Sequence, residues 1–247
     1  MTCVVAVDIG GTFTDLVALD AETGEVRYTK SPTTYGDFVA GIAECLRKTA
    51  VEPADVRIVN HGTTLVINAL IQRAGAKAAL VATKGFRDVL EIARGNRPDP
   101  FDLHYRRDEP LIPREQRLEL DERIGPNGEV EKPVDEAELA RLADRLRAMG
   151  VEAVAISFMN AYANAAHEEQ VAASLSRQLP GVYVTHGTAL SREWYEYERT
   201  ATVAANAYIG PQVSGYIGRL ESSLRERGFP GTLFMMGSNG GVLSAER

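Results

Sequence analysis

The start of the chain alternates between apolar runs and short polar turns. A Gly10-Gly11 pair separates the first two runs, and an acidic turn separates the second from the third. Runs of this length and spacing, rich in β-branched residues, are typical of strands joined by hairpins. The pattern predicts an antiparallel meander of three strands, over 4–7, 13–19 and 26–30, which Pro32 ends.

Beyond Pro32, segments with a helical period alternate with short apolar runs. Helices are predicted over 38–49, 64–75, 86–93, 135–150, 164–179, 191–209 and 211–228. Strands are predicted over 56–59, 77–83, 151–158, 182–185 and 232–236. Alternating strands and helices indicate an α/β fold with a mixed sheet flanked by helices.

One stretch, residues 95–133, departs from this regular alternation. It is rich in proline and carries the turn signals Pro98-Asp99 and Asn127-Gly128. We interpret it as an excursion that contains a small hairpin, in which 118–124 pairs with 129–132. Domain boundaries are expected near Pro133 and Ser191, where regular patterns resume.

Composition narrows the classes of function. Hydrophobic residues make up 45% and charged residues 25% of 247 residues, the balance of a globular protein. A net charge of −7 without basic clusters disfavours nucleic acid as a partner. The two cysteines form no CxxC pair, which is typical of a reduced, cytoplasmic protein. The chain shows neither a signal peptide nor an apolar run of about 20 residues, so no membrane partner is expected.

The Gly-Gly turn is the strongest chemical signal. Glycine lacks a Cβ and lets an anion approach backbone N–H groups, and the hydroxyls of Thr12 and Thr14 add donors beside a phosphate. Asp8, where the first strand ends, is placed to bind Mg²⁺ directly or through water. The alternative is an ordinary hairpin with a solvated aspartate.

A second motif, His61-Gly62-Thr63-Thr64, lies where a strand leads into a helix. Free N–H groups and the helix dipole favour an anion there, and His61 could donate to a phosphate or substrate oxygen. In the alternative interpretation Thr63 and Thr64 only cap the helix, and His61 is a loop histidine with satisfied hydrogen bonds.

Two further segments carry candidate residues. Acids at Glu193, Glu196 and Glu198 open the predicted helix at 191 on more than one helix face, so they need not all face solvent. In the alternative interpretation Glu193 and Glu196 only compensate the helix dipole. Gly237-Ser238-Asn239-Gly240-Gly241 follows an apolar strand and either approaches a ligand or forms a simple tight turn. Arg94 and Arg97 could orient an anion or lie in a solvated loop.

Other common site patterns are missing from the sequence. His104, His167 and His186 lie far apart and lack metal-ligand spacing, so no tightly bound transition metal is expected. There is no GxSxG, GxxxxGK[ST] or GxGxxG motif, which argues against serine-hydrolase, P-loop and Rossmann functions.

Five segments carry a resemblance to a known family. VAVDIGGTFTDLVALD resembles the first phosphate loop of actin-like ATPases. Together with four further segments it is similar to the A-type subunit of the hydantoinase/oxoprolinase family, from about residue 4 to 242. Those segments are NHGTTLVINALIQRAGAKAALVATKGFRDVLEIARGNRPDPFDL, PLIPREQRLELDERI, SREWYEYERTATVAANAYIGP and GSNGGV.

The resemblance implies a fold, a reaction and a set of residues. It implies an actin-like ATPase lobe of the ribonuclease H-like class, with an inserted small α/β region. It also implies use of ATP and Mg²⁺ to phosphorylate the oxygen of a cyclic amide before water opens the ring, together with a B-type partner subunit and an oligomeric full-length protein. The residues it assigns to catalysis are Asp8, His61, Glu198 and Arg199, with Asp8 as metal ligand. Those it assigns to cofactor binding are Gly10, Gly11, Thr12, Thr14, Asp15, Gly62, Thr63, Thr64, Ser238, Gly240 and Gly241.

The same resemblance sets expectations for domain organisation. Residues 1–190 are expected to be the N-terminal domain of the family and 191–247 the start of its core domain. Actin-like ATPases hold nucleotide between two lobes, and only one DIGGT segment is present here. We therefore expect the chain to be the first lobe of a longer protein, with weak or no nucleotide binding by itself.

Three alternatives remain open. The first is a subunit of an ATP-dependent ketone carboxylase, which the family also contains and which the EWYEYER segment fits equally well. The second is a docking module without catalysis that binds a B-type subunit. A sugar or acid kinase is the third, disfavoured because the HGTT and YER motifs do not belong to those families.

Overall fold

A computed structural model describes residues 2–34, 38–237 and 239–244. The strands are β1 (Cys3–Ile9), β2 (Phe13–Asp20), β3 (Val26–Pro32), β4 (Val56–Thr63), β5 (Ala78–Thr83), β6 (Arg117–Leu120), β7 (Arg123–Ile124), β8 (Val130–Lys132), β9 (Ala153–Ser157), β10 (Tyr183–His186), β11 (Thr232–Met236) and β12 (Val242–Ser244). The α-helices are α1 (Phe38–Thr49), α2 (Leu65–Ile71), α3 (Val89–Ile92), α4 (Glu136–Met149), α5 (Ala166–Gln178), α6 (Gly187–Leu190) and α7 (Glu196–Glu226).

The chain divides into two compact units. Unit 1 comprises residues 1–72 and 213–247, and unit 2 comprises residues 73–212. Unit 2 is therefore inserted into the sequence of unit 1, and the return from unit 2 to unit 1 takes place inside α7. The inserted α/β region is present, and it is far longer than the irregular stretch 95–133.

Unit 1 contains a six-stranded sheet in the order β12-β11-β4-β1-β2-β3. β1, β2 and β3 pair antiparallel, which confirms the predicted meander. β4 runs parallel to β1, and β11 runs parallel to β4. The sheet is therefore mixed, with helices packed on it, which confirms the predicted α/β fold class.

One face of this sheet forms the core of unit 1. Alternate residues of β1 and β2 are buried against α1 and the second part of α7, with Val5, Leu16, Ile42 and Leu220 among the fully buried side chains. Cys3 and Cys45 are free thiols in the same core, and burial raises the pKa of both. Since residues alternate along a strand, the even-numbered residues of β1, Asp8 among them, face away from this core.

Unit 2 contains a parallel sheet in the order β10-β9-β5-β6. β5 and β9 are buried along their whole length, as their nearly continuous apolar sequences suggest. The helix α4 is capped as predicted: Asp135 accepts hydrogen bonds from two N–H groups of the first turn, and Gly150 ends the helix with a φ of 61°. Left-handed backbone of this kind favours glycine.

The structure corrects three predicted elements. Residues 117–120 form β6, which pairs with β5, so only the two-residue β7 forms a hairpin with β8. The helix predicted over 86–93 shrinks to the single turn α3. The two helices predicted over 191–209 and 211–228 are one helix, α7, which begins at Glu196 and continues through Pro211.

Two other expectations concern the chain as a whole. Within residues 2–34, 38–237 and 239–244, every helix is too short or too polar to span a lipid bilayer. The sequence boundary at 190/191 stays a prediction about the domains of the family, because the compact units divide the chain at other positions.

Candidate functional site

Three turns of unit 1 lie at the same edge of the six-stranded sheet. β1, β4 and β11 are adjacent and parallel, so their carboxyl ends meet at this edge. The segments that follow them are the Gly10-Gly11 turn, the Thr63-Thr64 segment and the 237–241 turn. The fold therefore brings together three sequence motifs that are up to about 230 residues apart.

Thr33 holds the Gly-Gly turn in place through two hydrogen bonds. Its hydroxyl donates to the Gly10 carbonyl at 2.9 Å, and its N–H donates to the Thr12 carbonyl at 2.9 Å. The Gly10 N–H closes the hairpin on the Phe13 carbonyl, at 3.0 Å. Gly11 and Thr12 are exposed at the tip. The part of the turn that faces outward is thus the Gly11-Thr12 segment rather than the Gly10 amide.

Thr14 lies beneath the turn and not on its outer surface. Its side chain is fully buried, and its hydroxyl lies 3.4 Å from the Thr33 hydroxyl. A β-carbon at Gly41 of α1 would come within 2.9 Å of the same oxygen, so only glycine leaves room for it. In this arrangement Thr14 supports the turn and does not offer its hydroxyl to a ligand.

Asp8 and Asp15 form a pair of exposed carboxylates beside the turn. The two residues are direct partners across β1 and β2, so their side chains project from the same face. On its other side Asp8 is the register partner of Gly62 in β4, and a β-carbon there would lie 3.2 Å from Asp8 Oδ1. The absence of a side chain at Gly62 therefore leaves the space that the Asp8 carboxylate occupies.

His61 lies inside unit 1 rather than on its surface. Its residue exposure is 0%, its Nδ1 lies 3.3 Å from the Val7 carbonyl, and its Nε2 lies 2.7 Å from the Tyr216 hydroxyl. Burial lowers the pKa of this imidazole to about 4, so the ring is neutral at pH 7. Both ring nitrogens are engaged with protein groups, and neither faces the turn.

Thr63 and Thr64 shape the start of α2. The Thr63 hydroxyl accepts from the Leu65 N–H at 3.1 Å, so it is Thr63 that caps the backbone. The Thr64 hydroxyl accepts from the Asn68 side chain at 3.2 Å, and the Thr64 N–H donates to the Ile9 carbonyl at 3.4 Å. The predicted helix to residue 75 spans only Leu65–Ile71, and the capping described here is local.

The 237–241 turn joins β11 to the edge strand β12. The Gly237 N–H donates to the Gly241 carbonyl at 2.8 Å, and Asn239 Oδ1 accepts from the Gly241 N–H at 2.9 Å. Gly240 has a φ of 79°, which a residue with a side chain rarely adopts. Gly240 and Gly241 are both exposed. Ser238, also a predicted cofactor-binding residue, lies outside the described residues.

The remaining predicted residues, Glu198 and Arg199, lie in unit 2 at the start of α7. Arg199 is 1% exposed and donates to the Phe158 carbonyl and to the carboxylate of Glu196. Glu198 instead pairs with Arg94, whose guanidinium also lies 4.7 Å from the centre of the Tyr195 ring. The two neighbours thus have different environments, and Arg199 is held by internal partners.

A cavity of about 260 Å³ opens in unit 2 beside this part of α7. Tyr197 of the YER motif lines it, together with the acids Asp108 and Glu109. The side chain of Arg73 donates to the Glu109 carbonyl at 2.5 Å and forms another wall. Arg97, the second arginine of the candidate pair, is exposed.

Protein side chains by themselves form no metal centre in the part of the chain that the structure describes. Within residues 2–34, 38–237 and 239–244, no three His, Cys, Asp or Glu side chains converge in a way that could hold a metal ion. His167 instead pairs with the buried Glu122 at 2.6 Å, and His186 lies 3.0 Å from the Thr188 hydroxyl. Mg²⁺ commonly uses only one or two carboxylates together with phosphate and water, so the Asp8 and Asp15 pair fits its donor chemistry.

Two residues of the site carry no clear signal in the sequence. Thr33 follows the meander and has no local signal, because its role depends on the neighbouring hairpin turn. Tyr216 is 155 residues from His61 and is brought to it only by the packing of α7 on the sheet. A buried tyrosine on an otherwise apolar helix face was the one available signal, since its hydroxyl needs a partner.

Comparison with known proteins identifies related sequences over nearly the whole chain. Residues 4–179 match the family model for the hydantoinase/oxoprolinase N-terminal region, and residues 199–247 match that for hydantoinase/oxoprolinase. The chain is 36% identical to caprolactamase subunit alpha of Pseudomonas jessenii over 246 residues, covering 96% of this chain and 35% of that one. It is 30% identical to the acetophenone carboxylase gamma subunit of Aromatoleum aromaticum over 257 residues, covering 95% and 35%.

Solved structures agree with the fold. The crystal structure of ATP-dependent caprolactamase from Pseudomonas jessenii matches with a TM-score of 0.82 at 36% identity, covering 97% of this chain and 36% of that one. Nucleotide-free acetone carboxylase matches with a TM-score of 0.88 at 22% identity, covering 99% and 37%. The chain spans about a third of the length of these relatives.

Proposed function

The chain belongs to the hydantoinase/oxoprolinase family, and from this premise we propose that it is the phosphate-binding lobe of an ATP-dependent enzyme that opens a cyclic amide. The sequence relative that is 36% identical carries the name caprolactamase and has a solved structure described as ATP-dependent. The chain spans only about a third of that relative, so the proposal concerns the activity of the complete protein.

One observation supports the proposal above all others. The carboxyl ends of β1, β4 and β11 place the Gly11-Thr12 tip, the Thr63-Thr64 segment and the Gly240-Gly241 turn at one edge of the sheet. Exposed glycine turns at the carboxyl ends of parallel strands are common sites for phosphate groups. We therefore assign the nucleotide phosphates to this edge.

Asp8 and Asp15 are the residues that would hold Mg²⁺. Two like charges directly opposite each other on a sheet repel, and a bound cation would remove this cost. When bound, Mg²⁺ neutralises charge on the phosphates. The chain's own contribution is to hold both carboxylates beside the turn: Gly62 leaves space for Asp8, and Thr33 fixes the turn.

The proposed reaction begins with phosphoryl transfer to the amide oxygen. The bond from the γ-phosphorus to the bridging oxygen breaks, a bond to the amide oxygen forms, and ADP leaves. Water then adds to the activated carbon, and the C–N bond breaks as the ring nitrogen takes up a proton, which leaves an acyl phosphate. A second water hydrolyses this acyl phosphate to a carboxylate and inorganic phosphate. Such transfer depends mainly on positioning and charge neutralisation, which a rigid turn and fixed carboxylates can provide without a nucleophilic side chain.

The test uses the complete protein with its partner subunit. Phosphate release is measured with ATP and a hydantoin or lactam, and separately with ATP, a ketone and bicarbonate. Release that requires the cyclic amide and is abolished in Asp8→Asn supports the proposal. Turnover of the cyclic amide without ATP, or at the wild-type rate in Asp8→Asn, would contradict it.

Two alternative functions predict different results in the same assays. A ketone carboxylase subunit is favoured by the 30% identity to the acetophenone carboxylase gamma subunit, and phosphate release driven only by ketone and bicarbonate would select it. A docking module without catalysis would bind its partner in both wild type and Asp8→Asn and show no ATP turnover in either. The relatives are themselves named as subunits, so we also propose a B-type partner for this chain.

A further inference from the structure

Tyr216 occupies an unusual position for a tyrosine of unit 1. It is 2% exposed on α7, and its hydroxyl lies 2.7 Å from His61 Nε2. The hydroxyl points toward the sheet, so this polar contact lies in the apolar core between helix and sheet. A buried hydrogen bond of this kind fixes the relative position of the two groups, because breaking it leaves polar atoms without water.

The tautomer of His61 follows from its partners. The Val7 carbonyl can only accept, so His61 Nδ1, 3.3 Å away, carries the proton. In a neutral imidazole Nε2 is then an acceptor, and the Tyr216 hydroxyl donates to it. The result is a directed chain of hydrogen bonds from the Tyr216 hydroxyl through the imidazole to the Val7 carbonyl.

This series of hydrogen bonds ends at the backbone of Asp8, the proposed metal ligand. The Val7 carbonyl belongs to the peptide group whose N–H is that of Asp8. The residue after His61 is Gly62, the one whose missing β-carbon leaves room for the Asp8 carboxylate. His61 therefore contacts the Asp8 peptide through its ring and places Gly62 beside the carboxylate through its own backbone.

We propose that Tyr216 is a positioning residue for Asp8, acting through His61 on the Val7–Asp8 peptide and on Gly62. The inference rests on the proposed function, because the position of Asp8 matters for turnover only if Asp8 serves the phosphate site. In this proposal His61 helps to position Asp8 and does not itself contact the ligand. Tyr216→Phe removes the hydroxyl alone, so the variant keeps the ring in the core.

A first experiment tests the hydrogen-bond chain without any turnover. Long-range proton–nitrogen NMR spectra of the 247-residue chain should show His61 protonated at Nδ1, and the Nε2 signal should shift in Tyr216→Phe. Tyr208→Phe is the matched control, since Tyr208 is a buried tyrosine on the same helix. A His61 protonated at Nε2, or a Nε2 signal that is identical in wild type and Tyr216→Phe, would overturn the inference.

A second experiment measures Asp8 in the complete protein. In Tyr216→Phe we expect the half-saturating Mg²⁺ concentration to rise and kcat to fall by roughly tenfold to a hundredfold, as for a misplaced catalytic group. The KM for the cyclic amide should stay within about twofold of wild type, as should kcat and the Mg²⁺ dependence of Tyr208→Phe. Adding His61→Gln to Tyr216→Phe should lower kcat little further, because both substitutions break the same series of hydrogen bonds. Unchanged kcat and Mg²⁺ dependence in a Tyr216→Phe protein that only melts earlier would show a purely structural role. If Asp8→Asn itself turned over normally, the proposed function would fail instead, and this inference with it.

Discussion

The carboxylate of Asp8 lies against the backbone of Gly62, with room for a hydrogen but little for a methyl group. A β-carbon at position 62 would approach Asp8 Oδ1 to 3.2 Å. Gly62→Ala should therefore displace the carboxylate by a few tenths of an ångström and reduce ATP turnover of the complete protein by about tenfold. Turnover assays with Mg-ATP measure this effect.

A glycine in open space provides the control for that variant. Gly218 lies on α7, and a β-carbon added there would meet no atom within 4 Å beyond its chain neighbours and the adjacent helix backbone, so Gly218→Ala should leave turnover intact. It should also raise the free energy of unfolding by about 0.5–1 kcal/mol, because alanine restricts the unfolded chain more than glycine does. Equal turnover in Gly62→Ala and Gly218→Ala would show that the close approach at position 62 is unimportant.

Thr33 should be as important to the turn as its glycines. Thr33→Val keeps the shape of the side chain but removes the hydroxyl that donates to the Gly10 carbonyl at 2.9 Å. We expect a loss of about 1 kcal/mol in the free energy of unfolding, the usual net value of one such hydrogen bond. The neighbouring exposed residue gives the comparison: Thr34→Val should change stability by less than about 0.5 kcal/mol in the same urea titration.

His61 should make stability depend on pH in the mildly acidic range. Its pKa is lowered by burial to about 4 in the folded chain, against 6.5 for an ordinary histidine, so the unfolded chain binds the extra proton first. Stability is therefore full above about pH 6.5 and falls as the pH drops toward 4, by about 2 kcal/mol between pH 7 and pH 5.

The control variant for this prediction is His61→Gln, because a glutamine side chain does not titrate between pH 5 and pH 7. The difference in unfolding free energy between wild type and His61→Gln should become smaller as the pH is lowered from 7 to 5. Urea unfolding at the two pH values measures it. A constant difference would mean that His61 is not neutral and buried in the folded state.

Arg199 should be needed for folding more than its neighbours in the same motif. It is fully buried, and Arg199→Met would remove the guanidinium that donates to both the Phe158 carbonyl and the Glu196 carboxylate. Removing one member of a fully buried ion pair costs about 3–5 kcal/mol, and the loss here should lie toward the lower end because the Glu196 side chain is 22% exposed. Arg94→Met, which breaks the exposed pair with Glu198, should have a much smaller effect in the same thermal-melt experiment.

Local signals in the sequence predicted the parts of the fold that depend on neighbouring residues. The β1–β3 meander follows from period-two runs separated by a Gly-Gly turn, and α4 follows from Asp135 and Gly150 at its ends. Pro211 was a misleading signal for a physical reason. Proline removes one helical hydrogen bond, but the residues on both sides are packed, so α7 continues through it.

Local sequence patterns could not predict the contacts between residues that are far apart in the chain. Residues 118–120 have the alternation of a hairpin strand, yet they pair with β5, about 37 residues earlier. In the site, the Gly-Gly turn and Asp8 were recognisable from residue type and position. The burial of His61 against Tyr216 was not, since a histidine between a strand and a helix has the same sequence pattern whether its ring faces a ligand or the core.

The pairing of β11 with β4 has a consequence for synthesis on the ribosome. Leu233 lies opposite Val59, which is 174 positions earlier (233 − 59), and all of unit 2 is made in between. Unit 2 is contiguous and can become native as soon as it emerges, whereas β4 must wait with one edge unpaired until nearly all of these 247 residues have been translated. A nascent chain arrested before residue 232 should therefore protect unit 2 from proteases while its first 72 residues remain susceptible.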